Sequence, residues 1–107
     1  MTWQPITEDE LLELLTQAMT RMSDDQKRVW ETIKISPTKW RMKVEFSADK
    51  FWVVALLGQT VLWYNDIEEG FNRSRFKEYG LIEEYFSNQD QLEWQIQQVM
   101  DAFLYED

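Results

Sequence analysis

Phe51-Trp52-Val53-Val54-Ala55-Leu56-Leu57-Gly58-Gln59-Thr60-Val61-Leu62-Trp63-Tyr64 consists of two apolar runs joined by a Gly-Gln pair. Runs rich in β-branched and aromatic residues, separated by two turn-forming residues, read as a β-hairpin. Phe51 to Leu57 is apolar at every position, so it reads as a central strand with both faces buried rather than as a half-exposed one.

Upstream, Lys39 to Phe46 alternates. Trp40, Met42, Val44 and Phe46 share one face, and Lys39, Arg41, Lys43 and Glu45 share the other. That pattern predicts a half-buried strand with a basic outer face. Ser47 to Lys50 reads as the turn into the hairpin. Downstream, Asn65 to Gly70 is a loop carrying Asp66, Glu68 and Glu69. Phe71 to Tyr79 and Leu81 to Phe86 are two further strands, separated by Gly80.

Helices flank this meander. Thr7-Glu8-Asp9-Glu10 is a capping box, and Ile6 and Leu11 supply its hydrophobic staple. Leu11, Leu14, Leu15, Ala18, Met19 and Met22 then form an apolar stripe at helical spacing. A second capping box, Ser23-Asp24-Asp25-Gln26, opens a helix running to about Ile33, with Val29, Trp30 and Ile33 as its buried face. Pro37 rules out simple continuation. Asn88 is expected to cap a last helix, with Gln91 at its third position and a core stripe of Leu92, Ile96, Val99, Met100, Phe103 and Leu104. The fold class is therefore α+β: two N-terminal helices, an antiparallel meander of four to five strands, and one C-terminal helix packed on the sheet. With 107 residues and 44% hydrophobic content, residues 1–107 are expected to form a single globular domain with one real core.

Composition narrows function. The chain has no Cys and no His. Disulfides, thiolate catalysis and Cys-based zinc sites are removed, and a serine nucleophile would lack its usual base. Gly58, Gly70 and Gly80 are isolated, so there is no phosphate-binding loop. The reading is therefore that the chain is not an enzyme, with no catalytic residues, no metal and no cofactor. The N-terminus has neither the basic nor the apolar region of a signal peptide, and no apolar run approaches membrane-spanning length. A cytoplasmic location and no membrane partner are expected.

The formal charge is -9. Bases gather in residues 27–50 (Lys27, Arg28, Lys34, Lys39, Arg41, Lys43 and Lys50), and the segments on either side are strongly acidic. A net acidic surface repels nucleic acid and favours a basic partner. Solubility alone is the plainer reading of that charge. Asp66, Glu68 and Glu69, with Glu83 and Glu84, offer hard oxygen ligands, yet their spacing matches no EF-hand. A solvated turn, with Asn65 and Asp66 bonding local amides and Gly70 supplying a positive φ, is the preferred reading.

Trp94 lies about 200° around the last helix from Leu92, away from the core stripe. Exposed Trp is enriched at interface hot spots. Trp3 is similarly unaccounted for by any core stripe. The candidate partner-binding residues are thus Tyr64, Asp66, Glu68, Glu69, Phe71, Glu83, Glu84 and Trp94. The chain resembles in character the bacterial immunity proteins, which are small, acidic and poor in cysteine. The resemblance rests on no family motif, and it implies an inhibitor or regulator of a larger, basic protein partner. An alternative is a small-ligand or peptide pocket on the sheet, lined by Trp52, Trp63 and Tyr85. An enzyme using carboxylates or Tyr as general acid and base is the least favoured reading, and a homodimer through Trp94 is a further arrangement the sequence allows.

Overall fold

The fold is that of a computed structural model, which describes residues 4–43 and 50–105. Trp3, Val44, Phe46 and the expected turn at residues 47–49 lie outside the described residues, as does the side chain of Leu104. The elements run α1 (Glu8–Arg21), α2 (Asp24–Ile33), β1 (Lys34–Met42), β2 (Lys50–Leu57), β3 (Thr60–Asn65), β4 (Gly70–Arg75), β5 (Leu81–Ile82) and α3 (Leu92–Tyr105). Both capping boxes form. Thr7 Oγ1 accepts from the Glu10 amide while the Glu10 carboxylate accepts from the Thr7 amide, and Ser23 and Gln26 repeat the exchange.

The strands order β4-β3-β2-β1-β5 in one sheet. The first four pair antiparallel, but β5 lies parallel to β1 through Arg41↔Leu81 and Met42↔Ile82. This departs from the simple meander. After β4 the chain leaves the sheet edge: Phe76 packs edge-on and Tyr79 tilted against Trp40, with ring centroids 5.0 and 4.8 Å away, and the chain passes to the far edge. The strand expected at Phe71 to Tyr79 therefore stops at Arg75, and the one expected at Leu81 to Phe86 shrinks to two residues. β1 begins at Lys34, directly after α2 and well before Lys39. A register shift between Lys34 and Thr38 accommodates Pro37, which has no amide to give to the ladder.

Both faces of the sheet are buried. On one, α1 (Leu11, Leu15, Ala18), α2 (Trp30, Ile33) and α3 (Leu92, Ile96, Val99) cover Val54, Ala55, Leu62, Tyr64 and Phe71. On the other, Trp40, Met42, Phe51, Val53, Val61, Trp63 and Ile82 form a second core. A bulge explains how one strand serves both. Val53 pairs with Trp63 and Ala55 with Leu62, so Val54 is an extra residue, and both it and Ala55 face the helices.

Residues 83–90 close the second core as a strap along β4. The Glu83 amide donates to Arg75 O, Ser74 Oγ to Glu84 O, and Asn65 Nδ2 to Phe86 O. Asn72 donates to Asn88 O and accepts from the Asn88 amide, and the Phe71 amide reaches Asp90 O. Side chains of β3 and β4 thus replace most of a strand ladder. The sheet curls until the residues after β5 meet β4. Tyr85 lies over Phe51 and Trp63, with ring centroids 6.3 and 5.9 Å away.

Two local expectations are corrected by the strap. Asn88 does not cap α3: its backbone is held by Asn72, and the first turn of α3 instead donates to Gln91 O. Gly70 does not supply the positive φ of the loop, which belongs to Glu69 (φ 58°). Gly70 is required because the strap passes over it: a Cβ there would lie 2.3 Å from Asn88 O and 2.4 Å from the Gln89 Cα. Phe103, expected in the core stripe, is 63% exposed, because α3 runs past the end of the sheet's cover. Among the described residues, no helix is long and apolar enough to cross a membrane.

Candidate functional site: an acidic groove along α1

The turn at residues 65–70 is built from the buried Asn65, whose Oδ1 accepts from the Ile67 and Glu68 amides. Asp66 then points toward the segment ahead of α1, where its Oδ2 accepts from the Ile6 amide at 2.9 Å. Trp52 Nε1 donates to Ile6 O, so Ile6 is held by both its backbone groups. This clamp places Glu10, in the first turn of α1, beside the 65–70 turn.

The result is a cavity of about 310 Å³ lined by Gln4, Pro5, Ile6, Glu10, Tyr64, Asp66 and Glu69. Tyr64 and Glu69 also line a second hollow of about 170 Å³, which reaches Gly70, Phe71, Gln91 and Arg21. Arg21 and Gln91 in turn line a third, of about 350 Å³, with Glu93 and Trp94. The three hollows share lining residues and follow one another as a groove along α1. It starts at the N-terminal segment, follows α1, and ends at Trp94, which is 61% exposed on α3.

Five of the eight sequence-predicted residues line this groove: Tyr64, Asp66, Glu69, Phe71 and Trp94. Glu68 sits in the same turn but lines none of the three hollows. Glu83 and Glu84 lie apart, near the Arg75 end of β4, roughly 17 Å from Gly70 at the usual rise per strand residue. They have structural partners there: Glu83 pairs with Lys43 at 3.6 Å, and Glu84 accepts from the Arg75 amide. Phe71 and Tyr64 are buried against each other, with ring centroids 4.9 Å apart, so they form the floor of the groove rather than protruding anchors. Sequence reasoning missed Glu10 and Arg21. The first was absorbed by its capping role, and the second lies 72 positions from its partner.

The groove's electrostatics are one-sided at its N-terminal end. Burial pushes the Tyr64 phenol above its ordinary value, and the charges of Glu69, Asp66 and Glu10 push it the same way. Burial also raises Asp66, partly offset by its hydrogen bond from Ile6 and by the positive charge of Lys39. Lys39 makes no ion pair there; its ammonium lies 5.1 Å from the Trp52 ring centroid. At the other end the charge is balanced, since Arg21 forks onto Glu93 at 2.6 and 3.1 Å and its guanidinium is held further above its ordinary value by that bond. Among the described residues, no three carboxylates converge closely enough to hold a metal ion.

The expected pocket of Trp52, Trp63 and Tyr85 does not form. Trp52 packs on the helix side, while Trp63 and Tyr85 meet in the second core. A different apolar groove, about 530 Å³, lies between α2 and the end of α3, lined by Val29, Ile33, Leu57, Val99, Met100 and Phe103 among others.

Fold and surface together define an α+β domain whose curled sheet carries helices on one face and a strap on the other, with an acidic groove beside α1. Comparison with models of known protein families, with curated proteins and with solved structures finds no match.

Proposed function

We propose that the chain is a small acidic protein-interaction domain that binds a basic protein partner through the groove along α1, in the manner of an immunity-type inhibitor or regulator. One observation carries the reading. The exposed Trp94 and the carboxylates of Asp66 and Glu69, from distant parts of the chain, line successive hollows that share residues along one side of α1. An aromatic anchor at one end and negative charge at the other suit a partner that presents an apolar patch beside a basic one.

The test is capture from the host lysate at low and at high salt, followed by association kinetics with the captured protein. Glu69→Lys should slow association at low salt by about tenfold and much less at high salt, because charge steering is screened. Trp94→Ala should instead speed dissociation. A partner whose binding ignores both substitutions would remove the groove from the reading.

A small-ligand reading has one observation in its favour, the apolar groove between α2 and α3, whose volume is within the range of ligand pockets. Its check is a rise in Tm with an apolar ligand that Val29→Trp, by filling the groove, abolishes.

A further inference from the structure

The N-terminal end of the groove has features that charge alone does not explain. Tyr64 is only 8% exposed and lines the cavity framed by Gln4, Ile6, Glu10, Asp66 and Glu69, and among the described residues its hydroxyl has no hydrogen-bond partner. The ring is buried and the hydroxyl faces the hollow, where it can pair with a ligand group. Asp66 Oδ1 is likewise buried without a partner among the described residues. Glu10 uses Oε1 for its capping bonds to Thr7, and among the described residues its Oε2 takes no hydrogen bond and Glu69 forms no ion pair. Glu69, whose backbone is left-handed (φ 58°), lines this cavity and the adjoining one. Three carboxylates and the phenol thus line a hollow near which, among the described residues, the neighbouring base is Lys39, whose ammonium lies over Trp52.

A compact metal ion does not suit this geometry, since the carboxylates are too dispersed to converge on one point. A guanidinium does. It is planar, weakly hydrated, and carries five donors that serve several separated acceptors at once. An ammonium concentrates its charge on one strongly hydrated nitrogen and satisfies fewer of them. Pro5 and Ile6 provide an apolar wall for the methylene stem. We infer that the cavity bounded by Pro5, Ile6, Glu10, Tyr64, Asp66 and Glu69 is the receptor for one arginine side chain of the partner, with Tyr64 Oη and the Glu10 and Glu69 carboxylates accepting its hydrogen bonds. The inference rests on the interaction reading above and narrows it to an arginine-presenting partner.

The test uses the full chain and a blocked arginine, N-acetyl-arginine methylamide, titrated at constant ionic strength while the Tyr64 ring signals are followed by NMR. Saturable shifts at Tyr64 and at the Asp66 and Glu69 amides are expected, with a Kd on the order of 10 mM for a single side chain in an open site. Blocked lysine should bind several-fold more weakly, and magnesium chloride should give no saturable shift. The double variant Glu10→Gln/Glu69→Gln keeps the capping box, which accepts Gln at that position, and should weaken blocked arginine at least tenfold. Tyr64→Phe removes only the hydroxyl and should weaken it less. No saturation by blocked arginine, equal response to lysine or magnesium, or an unaffected double variant would overturn the inference. A captured partner that binds the double variant as well as the wild type would also overturn it, leaving the broader interaction reading intact. Saturation by blocked arginine with no salt-sensitive partner in the lysate would sustain the cavity's chemistry and remove the protein-partner reading.

Discussion

The two faces of the sheet are covered by different physics. On the helix side, three amphipathic elements lay apolar stripes on Val54, Ala55, Leu62 and Phe71, and the contact is almost wholly apolar. On the other side a strap without regular structure is stitched to β3 and β4 by Asn65, Asn72 and Ser74, all buried, and then drops Tyr85 over Trp63. Helix cover is strong because area is strong, roughly 25 cal/mol for each Å² of apolar surface removed from water. Strap cover is specific because each stitch satisfies a buried polar side chain, Asn65, Asn72 or Ser74, that would otherwise be left unpaired. A cover of the first kind yields gradually to truncation. One of the second kind depends on a few atoms.

That contrast can be broken at its tightest point. Gly70→Ala places a methyl where Asn88 and Gln89 backbone atoms lie under 3 Å away, so strap or strand must move. A loss of about 3 kcal/mol is expected in urea unfolding, with loss of the near-ultraviolet signal of Trp63. A neutral result would show that the strap is not seated on β4. Asn72→Ala leaves the Asn88 amide and carbonyl unpaired and should destabilise by about 2 kcal/mol. Amide exchange should quicken at residues 86–90 while α1 and α2 keep their protection. Uniform loss of protection would mean that the two faces unfold as one. On the helix side, Thr7→Ala removes one cap of α1 and should reduce stability by about 1 kcal/mol in the same assay, without altering exchange in the strap.

The smallest effect sharpens the comparison where the two regions meet, at the turn leading to β4. Burial raises the Asp66 pKa above its ordinary value of 3.8, so the folded state holds that proton more tightly than the unfolded one. Wild-type stability relative to Asp66→Asn should therefore be highest below that pH and should fall as pH rises through the raised value. The lowered pKa of Glu10, caused by its bonds from Thr7, has the opposite sign: its contribution is present above the ordinary carboxylate value and is lost on acidification. Urea unfolding of wild type, Asp66→Asn and Glu10→Gln from pH 3 to 7 separates the two. A wild-type minus Asp66→Asn difference that rose with pH would contradict the burial of Asp66.

The same contrast explains what the chain disclosed. Capping boxes, the stripes of α1 and α2, and the Phe51–Tyr64 hairpin are local patterns, and each formed as read. The all-apolar Phe51–Leu57 run anticipated a strand buried on both faces. The strap was misread as strand and cap because its bonds come from side chains 10 to 21 residues away, which leave no period in the strap's own sequence. The groove was half legible. Asp66, Glu69 and Trp94 stood out as acidic loop and off-stripe aromatic, but Glu10 joins them only because the Asp66 carboxylate holds Ile6 across 60 positions. Glu83 and Glu84 shared the composition of the site without its location.

Cross-saturation NMR with the captured partner tests the central claim most directly, because it maps the contact surface without substitution. The account predicts a footprint that runs from Glu10 and Ile6 through Tyr64 and Glu69 to Gln91 and Trp94. A footprint on the Phe103 groove, or on the basic face of β1 at Lys39 and Arg41, would contradict it.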